Sequence, residues 1–208
     1  MESSQPEFVA FPKMPRLRRP VIISEKIDGT NAQIFIGEDN AFLVGSRNRW
    51  ITPDNDNFGF ARWAHEHREE LVAGLGPGRH YGEWWGSGIQ RGYGLTEKRF
   101  SLFNASRWCE AGKIPLPIPS NDPTAAPKMQ QVAPACCHVV PVLYRGEMTI
   151  GCHNEAVGSV NLVLMDLRHH GSYAAPFMNP EGIVVFHLHS GHAFKVTLEN
   201  DAVPKSKA

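Results

Sequence analysis

Apolar and polar positions alternate in short runs along most of this chain. Residues 21–26 open with Val21-Ile22-Ile23 and turn polar at Ser24-Glu25-Lys26, which predicts a strand with a polar end. Residues 32–36 and 41–44 are apolar stretches around Gly37-Glu38-Asp39-Asn40, a hairpin signal. Phe60, Trp63, Ala64, His67 and Leu71 then recur at helical spacing, so a helix is predicted from about 57 to 73, with Gly74 to end it. Strands are predicted at 79–85, 100–103 and 139–144. A second helix is predicted from near Asn154 to just before Gly171, and two final strands at 182–188 and 193–198. Six prolines in residues 112–135 leave no periodicity there and predict a surface loop or insertion. Strands come in runs, with helices between the runs and no internal repeat. That order predicts an α+β domain with mainly antiparallel sheets.

At 208 residues the chain can bury an ordinary core as one domain, read as 1–208 with a flexible tail from 199. Lys+Arg and Asp+Glu both total 21, so the net charge is zero and no global field draws nucleic acid. Phosphate attraction must be local. The densest basic stretch is Lys13, Arg16, Arg18 and Arg19, interrupted by Pro12, Pro15 and Pro20. No apolar run is long enough for a bilayer, and no signal peptide is visible, so no membrane partner is expected. Cys109, Cys136, Cys137 and Cys152 form no disulfide framework, which implies reduced thiols and a cytoplasmic setting. Cys136-Cys137-His138 and Cys152-His153 match no common zinc spacing. His187 and His189 are two apart on a predicted strand and are expected to point the same way.

Five segments carry chemistry unusual for their positions. Glu25-Lys26-Ile27-Asp28-Gly29-Thr30-Asn31 displays a lysine at a strand end. Gly45-Ser46-Arg47-Asn48-Arg49 follows the hairpin. Gly82-Glu83 sets a glutamate against glycine and continues as Gly88-Ile89-Gln90-Arg91. Asn179-Pro180-Glu181-Gly182 does the same before Ile183-Val184-Val185, and Phe194-Lys195-Val196-Thr197 closes the series. Glycine lets a ligand approach the backbone, and the adjoining acid then faces it. Taken singly, each segment also reads as an ordinary strand end.

In this order, the segments resemble the motifs of the covalent nucleotidyltransferase superfamily of polynucleotide ligases and messenger-RNA capping enzymes. Within it the chain is most similar to the RNA ligase family, on its nick-sealing RNA ligase 2-like branch. Phe100-Ser101-Leu102-Phe103-Asn104 resembles an adjoining aromatic motif, and the likeness runs from about residue 10 to 198.

The resemblance implies an ATP-dependent ligase that joins 3′-hydroxyl and 5′-phosphate RNA ends through a lysyl-AMP and an adenylylated 5′ end. Lys26 would be the nucleophile, and Lys195 a catalytic cation. Glu25, Asp28, Gly29, Asn31, Arg47, Glu83, Phe103 and Glu181 would bind ATP. In detail, Glu83 would hold the ribose hydroxyls, Phe103 would stack on adenine and Glu181 would hold Mg²⁺ or Mn²⁺. Lys13, Arg16, Arg47 and Arg49 would meet RNA, as a nick or a splinted duplex, in RNA repair. Two positions depart from the pattern: Thr197 stands where relatives carry a second lysine, and Asn104 where they often carry aspartate. Lys205 and Lys207 are the nearby substitutes for the missing cation. A further C-terminal domain usual in relatives has no room here, so an accessory protein is expected to supply substrate affinity. A minimal DNA ligase, a capping guanylyltransferase and a non-catalytic nucleotide- or RNA-end-binding module are the competing readings.

Overall fold

The computed structural model describes residues 7–39, 41–109, 132–150, 158–199 and 201–202. Two sheets dominate it. The first has four antiparallel strands in the order β10-β9-β1-β8, where β1 is Pro20–Lys26, β8 Val142–Glu147, β9 Gly182–His187 and β10 His192–Thr197. The second has six in the order β4-β3-β2-β5-β6-β7. These are β2 (Thr30–Ile36), β3 (Phe42–Ser46), β4 (Trp50–Ile51), β5 (Gly78–Gly86), β6 (Lys98–Leu102) and β7 (His138–Val139). Among the described residues only the β6–β7 pair is parallel.

Side chains alternate across each sheet, and the alternation decides what each face meets. In the six-stranded sheet Ile34, Ile36, Val44, Trp84, Phe100 and Leu102 share a core with α1 (Phe60–Glu66) and α2 (Arg68–Leu75). Phe60 is fully buried there against the rings of Trp63, Trp84 and Phe100. In the four-stranded sheet Val21, Ile23, Ile183 and Val185 bury one face against Val163 and Leu167 of α4 (Ser159–His170). The opposite faces of the two sheets look across a cleft. No helix among the described residues is long and apolar enough to cross a membrane.

The expected helix over 57–73 divides at His67 into α1 and α2. Phe58 and Gly59 have left-handed backbone (φ 54° and 83°), so the helix starts only at Phe60. Asp56 accepts hydrogen bonds from the first-turn N–H groups of Ala61 and Arg62. The strand expected at 139–144 becomes β7 and β8, separated at Val140 and Pro141. The two-residue β4 and the one-turn α3 (Ala105–Trp108) had no periodic signal at all. The helix expected from Asn154 is seen from Ser159; Asn154 itself lies outside the described residues, as do most of the proline-rich stretch, Cys152-His153, Lys205 and Lys207.

His187 and His189 do not share a face. His187 is buried, with Nε2 at 3.2 Å from the Leu17 carbonyl and Nδ1 accepting from Ser190 N–H, while β9 ends at His187 and His189 is exposed in the turn beyond it.

Candidate active site

β1 ends at Lys26 and β2 begins at Thr30, yet the two strands belong to different sheets. Three residues, Ile27, Asp28 and Gly29, therefore carry the chain from one sheet to the other, and Lys26 stands at the crossing. Gly29 is compulsory there: a Cβ would lie 2.5 Å from the Trp84 carbonyl oxygen and 2.7 Å from Trp85 Cβ. The turn is pinned from below. Asp28 N–H donates to the Tyr93 hydroxyl at 3.0 Å, and Tyr93 is buried against Trp85 and Phe177.

Lys26 Nζ donates to Glu181 Oε2 at 2.5 Å. The lysine side chain is about a quarter exposed (24%) and the glutamate almost wholly buried (2%), so the charge is solvated on one side only. Antiparallel pairing produces this contact across 155 residues of sequence, because Lys26 lies opposite Gly182 in the β1–β9 register. Gly182 has φ 156°, and a Cβ there would sit 2.2 Å from the Val196 carbonyl oxygen of the next strand.

On the facing sheet, Glu83 and Asn31 are register partners. Glu83 accepts from Gly29 N–H and from Asn31 Nδ2, each at 3.2 Å. Burial pushes the Glu83 carboxyl up to about 7; the Lys26 cation opposes that, and Glu181 and Asp28 add to it. Around neutral pH Glu83 therefore exchanges its proton with little cost.

Between the two walls lies a cleft of about 770 Å³. One side presents Ile22, Ser24, Lys26, Val184, Phe186 and Lys195. The other presents Asn31, Arg79, Tyr81, Glu83 and Phe103, with α3 closing one end. Phe103 is 42% exposed, so its ring is open to a ligand rather than spent in the core.

The remaining expected residues fall in several places. Asp28 is turned to Arg91, whose Nε lies 3.1 Å from Asp28 Oδ2. Glu25 borders the cleft, but both of its oxygens are engaged by the loop after α4: Ser172 Oγ at 2.6 Å, Tyr173 N–H at 2.8 Å and Ala174 N–H at 3.2 Å. Its carboxyl is raised by burial, against the pull of these bonds. The Glu25 carboxylate thus anchors that loop, while Glu25 itself lines the cleft. Arg47 and Arg49 are exposed at the β3–β4 turn, and Arg47 does not line the cleft. Lys13 and Arg16 are exposed on the segment leading into β1.

Thr197 occupies the row beside Gly182, with Lys26 on the other side of that glycine. Its hydroxyl donates to the Glu199 carbonyl and its N–H to Asp201, both at 2.8 Å. The start of the expected tail is thereby tied to β10. Asn104 caps α3, accepting from Arg107 N–H at 3.2 Å, which is what the helix start asks of that position.

One residue was not singled out for a role in the sequence. Arg91 also donates to the carbonyls of Asn179 (2.8 Å) and Pro180 (3.4 Å), so one guanidinium joins the turn after Lys26 to the segment leading into Glu181. Its only signal was its place at the end of the Gly88-Ile89-Gln90 stretch.

The two-sheet α+β fold is shared with RNA ligases of known structure. A Naegleria gruberi RNA ligase variant solved with ATP and manganese superposes with a TM-score of 0.52 at 16% identity, covering 94% of this chain and 58% of that one. A second variant of the same ligase, solved with AMP and manganese, gives 0.50 at 18% identity, covering 87% and 50%. This chain thus spans little more than half the length of those structures. No curated protein sequence matches it significantly. The sequence profile of the RNA ligase family matches residues 19–197, and the chain belongs to that family.

Proposed function

We propose that this protein is an ATP-dependent RNA ligase that joins 3′-hydroxyl and 5′-phosphate ends. The observation that carries this reading is Lys26, held at the mouth of a nucleotide-sized cleft by a buried acid and faced by a second acid 57 residues on in the chain, Glu83. In the first step Lys26 Nζ attacks the α-phosphorus of ATP, a P–N bond forms and pyrophosphate leaves. AMP then passes from the lysine to the 5′-phosphate of an RNA end. Lastly the 3′-hydroxyl of the other end attacks that phosphate and AMP leaves.

The roles follow from the two walls. Lys26 must be unprotonated to attack, and its Nζ is held in place by Glu181 Oε2. Among the described residues no cluster of three or more His, Cys, Asp or Glu would hold an ion by itself. A divalent ion on Glu181 would therefore complete its shell with phosphate oxygens and water, a habit of Mg²⁺ that Mn²⁺ shares. Bound there, the ion would supply charge neutralisation at the phosphates. Lys195, on the same wall, adds a fixed cation. Glu83, once ionised, accepts from the ribose hydroxyls, with Asn31 and Gly29 N–H orienting it. Phe103 and Val184 face each other's sheets across the cleft and hold adenine between them.

Arg47 and Arg49 at the β3–β4 turn, with Lys13 and Arg16, meet the RNA backbone. The substrate is a nick or a splinted break, the setting is cytoplasmic RNA repair, and an accessory protein adds affinity. The branch is the nick-sealing one.

The test is incubation with ATP labelled at the α-phosphate, followed by denaturing electrophoresis. Wild-type protein becomes labelled, or is purified already carrying one AMP by mass. Lys26→Arg keeps a cation against Glu181 and hence the fold, but takes no label. Label on that variant would remove Lys26 from its role; absence of both label and AMP mass in the wild type would leave a nucleotide- or RNA-end-binding module.

A further inference from the structure

The six-stranded sheet has a second property that the nucleotide cleft does not use. Its cleft-side face does not stop at the cleft. Alternation from Asn31 and Glu83 carries the same face through Gln33, Gly45, Tyr81 and Trp50, which are consecutive register partners. The next row outward is Leu43, Phe35 and Arg79. These side chains stand away from the core, which lies behind Ile34, Val44 and Ile51.

An ordinary strand face turned to water would be polar. This one holds exposed Trp50 (44%), Tyr81 (52%) and Leu43 (43%). Arg79 is set between two rings, with its guanidinium carbon 4.9 Å from the Phe35 centroid and 5.4 Å from that of Trp50. Gln33 Oε1 fixes it further, accepting from Arg79 Nη1 at 3.3 Å. The rings are therefore held in place and the arginine is ordered before any ligand arrives. Arg47 and Arg49 sit on the turn that delivers Trp50, so two cations stand at the cleft end of the face and Arg79 adds a third two rows farther out. The acidic pair Glu38 and Asp39 lies on the β2–β3 turn, at the opposite end.

Ordered aromatic rings beside arginines, continuous with a phosphate-handling cleft, fit one kind of ligand: an unpaired nucleic acid strand. Bases stack on the rings and phosphates meet the guanidinium groups. We propose that the face built from Trp50, Phe35, Arg79 and Tyr81 binds an unpaired stretch of the RNA substrate that extends beyond the paired junction. This rests on the ligase reading for the identity of the strand as RNA, and on the geometry alone for the site.

The experiment measures the affinity of the full chain for a fluorescein-labelled single-stranded RNA by fluorescence anisotropy, alongside self-adenylylation with no RNA present. Trp50→Ala should weaken RNA binding about tenfold, one stacked base being worth about 1–3 kcal/mol, and leave adenylylation at the wild-type level. Trp50→Phe keeps a ring and should retain most of the affinity. Thermal melting of both variants identifies loss by unfolding. Unchanged RNA affinity in Trp50→Ala, equal loss in Trp50→Phe with an intact fold, or no RNA binding by the wild type would each overturn the proposal and leave the face to a protein partner. RNA binding that depends on Trp50 in a protein that takes no AMP would keep this surface and sink the ligase reading instead.

Discussion

The two walls of the cleft differ in how they hold charge. The four-stranded wall presents an ion pair, Lys26 with Glu181, and a second lysine, Lys195. The six-stranded wall presents Glu83 held only by neutral donors, Gly29 N–H and Asn31, together with aromatic rings. Desolvation is the same problem on both sides, but only one wall offsets it with an opposite charge in direct contact. On the other wall the outcome is a raised carboxyl. The first arrangement suits a polyanion and a reacting phosphate. The second suits sugar hydroxyls and a base, where hydrogen bonds and stacking are wanted more than field.

The division can be broken from either side. The largest effect is expected at Glu181. Glu181→Gln should slow covalent AMP transfer by about 10- to 100-fold, on the scale of losing a metal-supporting contact, with ATP binding measured separately by equilibrium titration changed far less. A loss confined to ATP binding would move Glu181 to the sugar side. Phe103→Ala should weaken ATP binding about 5- to 100-fold, the stacking range for one base, while the rate of AMP transfer at saturating ATP holds. Arg91→Ala touches neither wall directly. It removes the Arg91 bonds to Asp28 and to the Asn179 and Pro180 carbonyls, so it should lower the melting temperature by several degrees, from about 1–3 kcal/mol of charged hydrogen bonding, and slow AMP transfer through misplacement of the Lys26 turn.

The smallest effect is a pH dependence. Glu83 is raised from 4.5 to about 7 on folding, so the native state holds its proton where the unfolded chain has lost it. Its share of stability is complete below pH 4.5 and disappears as pH rises through 7. Glu83→Gln should flatten that part of the melting-temperature profile. In wild-type protein, ATP affinity should strengthen as pH rises through 7, since only the ionised carboxylate accepts from both ribose hydroxyls. A profile for Glu83→Gln identical to the wild type would remove Glu83 from that titration.

Local pattern determined much of this protein. The strand ending in Lys26, the β2–β3 hairpin and the strands behind Glu83 and Glu181 were legible because period-two alternation and glycine turns act over a few residues. Lys26, Glu83, Phe103 and Lys195, which the fold brings around one cleft, each stood in a motif, and the RNA ligase family was legible from those motifs. Tertiary structure decided the rest. Only folding could show that β1 and β2 part into different sheets at Asp28, or that Lys26 meets Glu181 across the β1–β9 register. Only folding could show that Glu25 anchors the Ser172–Ala174 loop and that Arg91 joins two distant segments. The break at His67 and the split of β7 from β8 were likewise hidden, since apolar spacing continues across both. The physical reason is range: sequence pattern records which face of an element is apolar, while strand register and the pairing of buried charges are fixed by partners that lie far away along the chain.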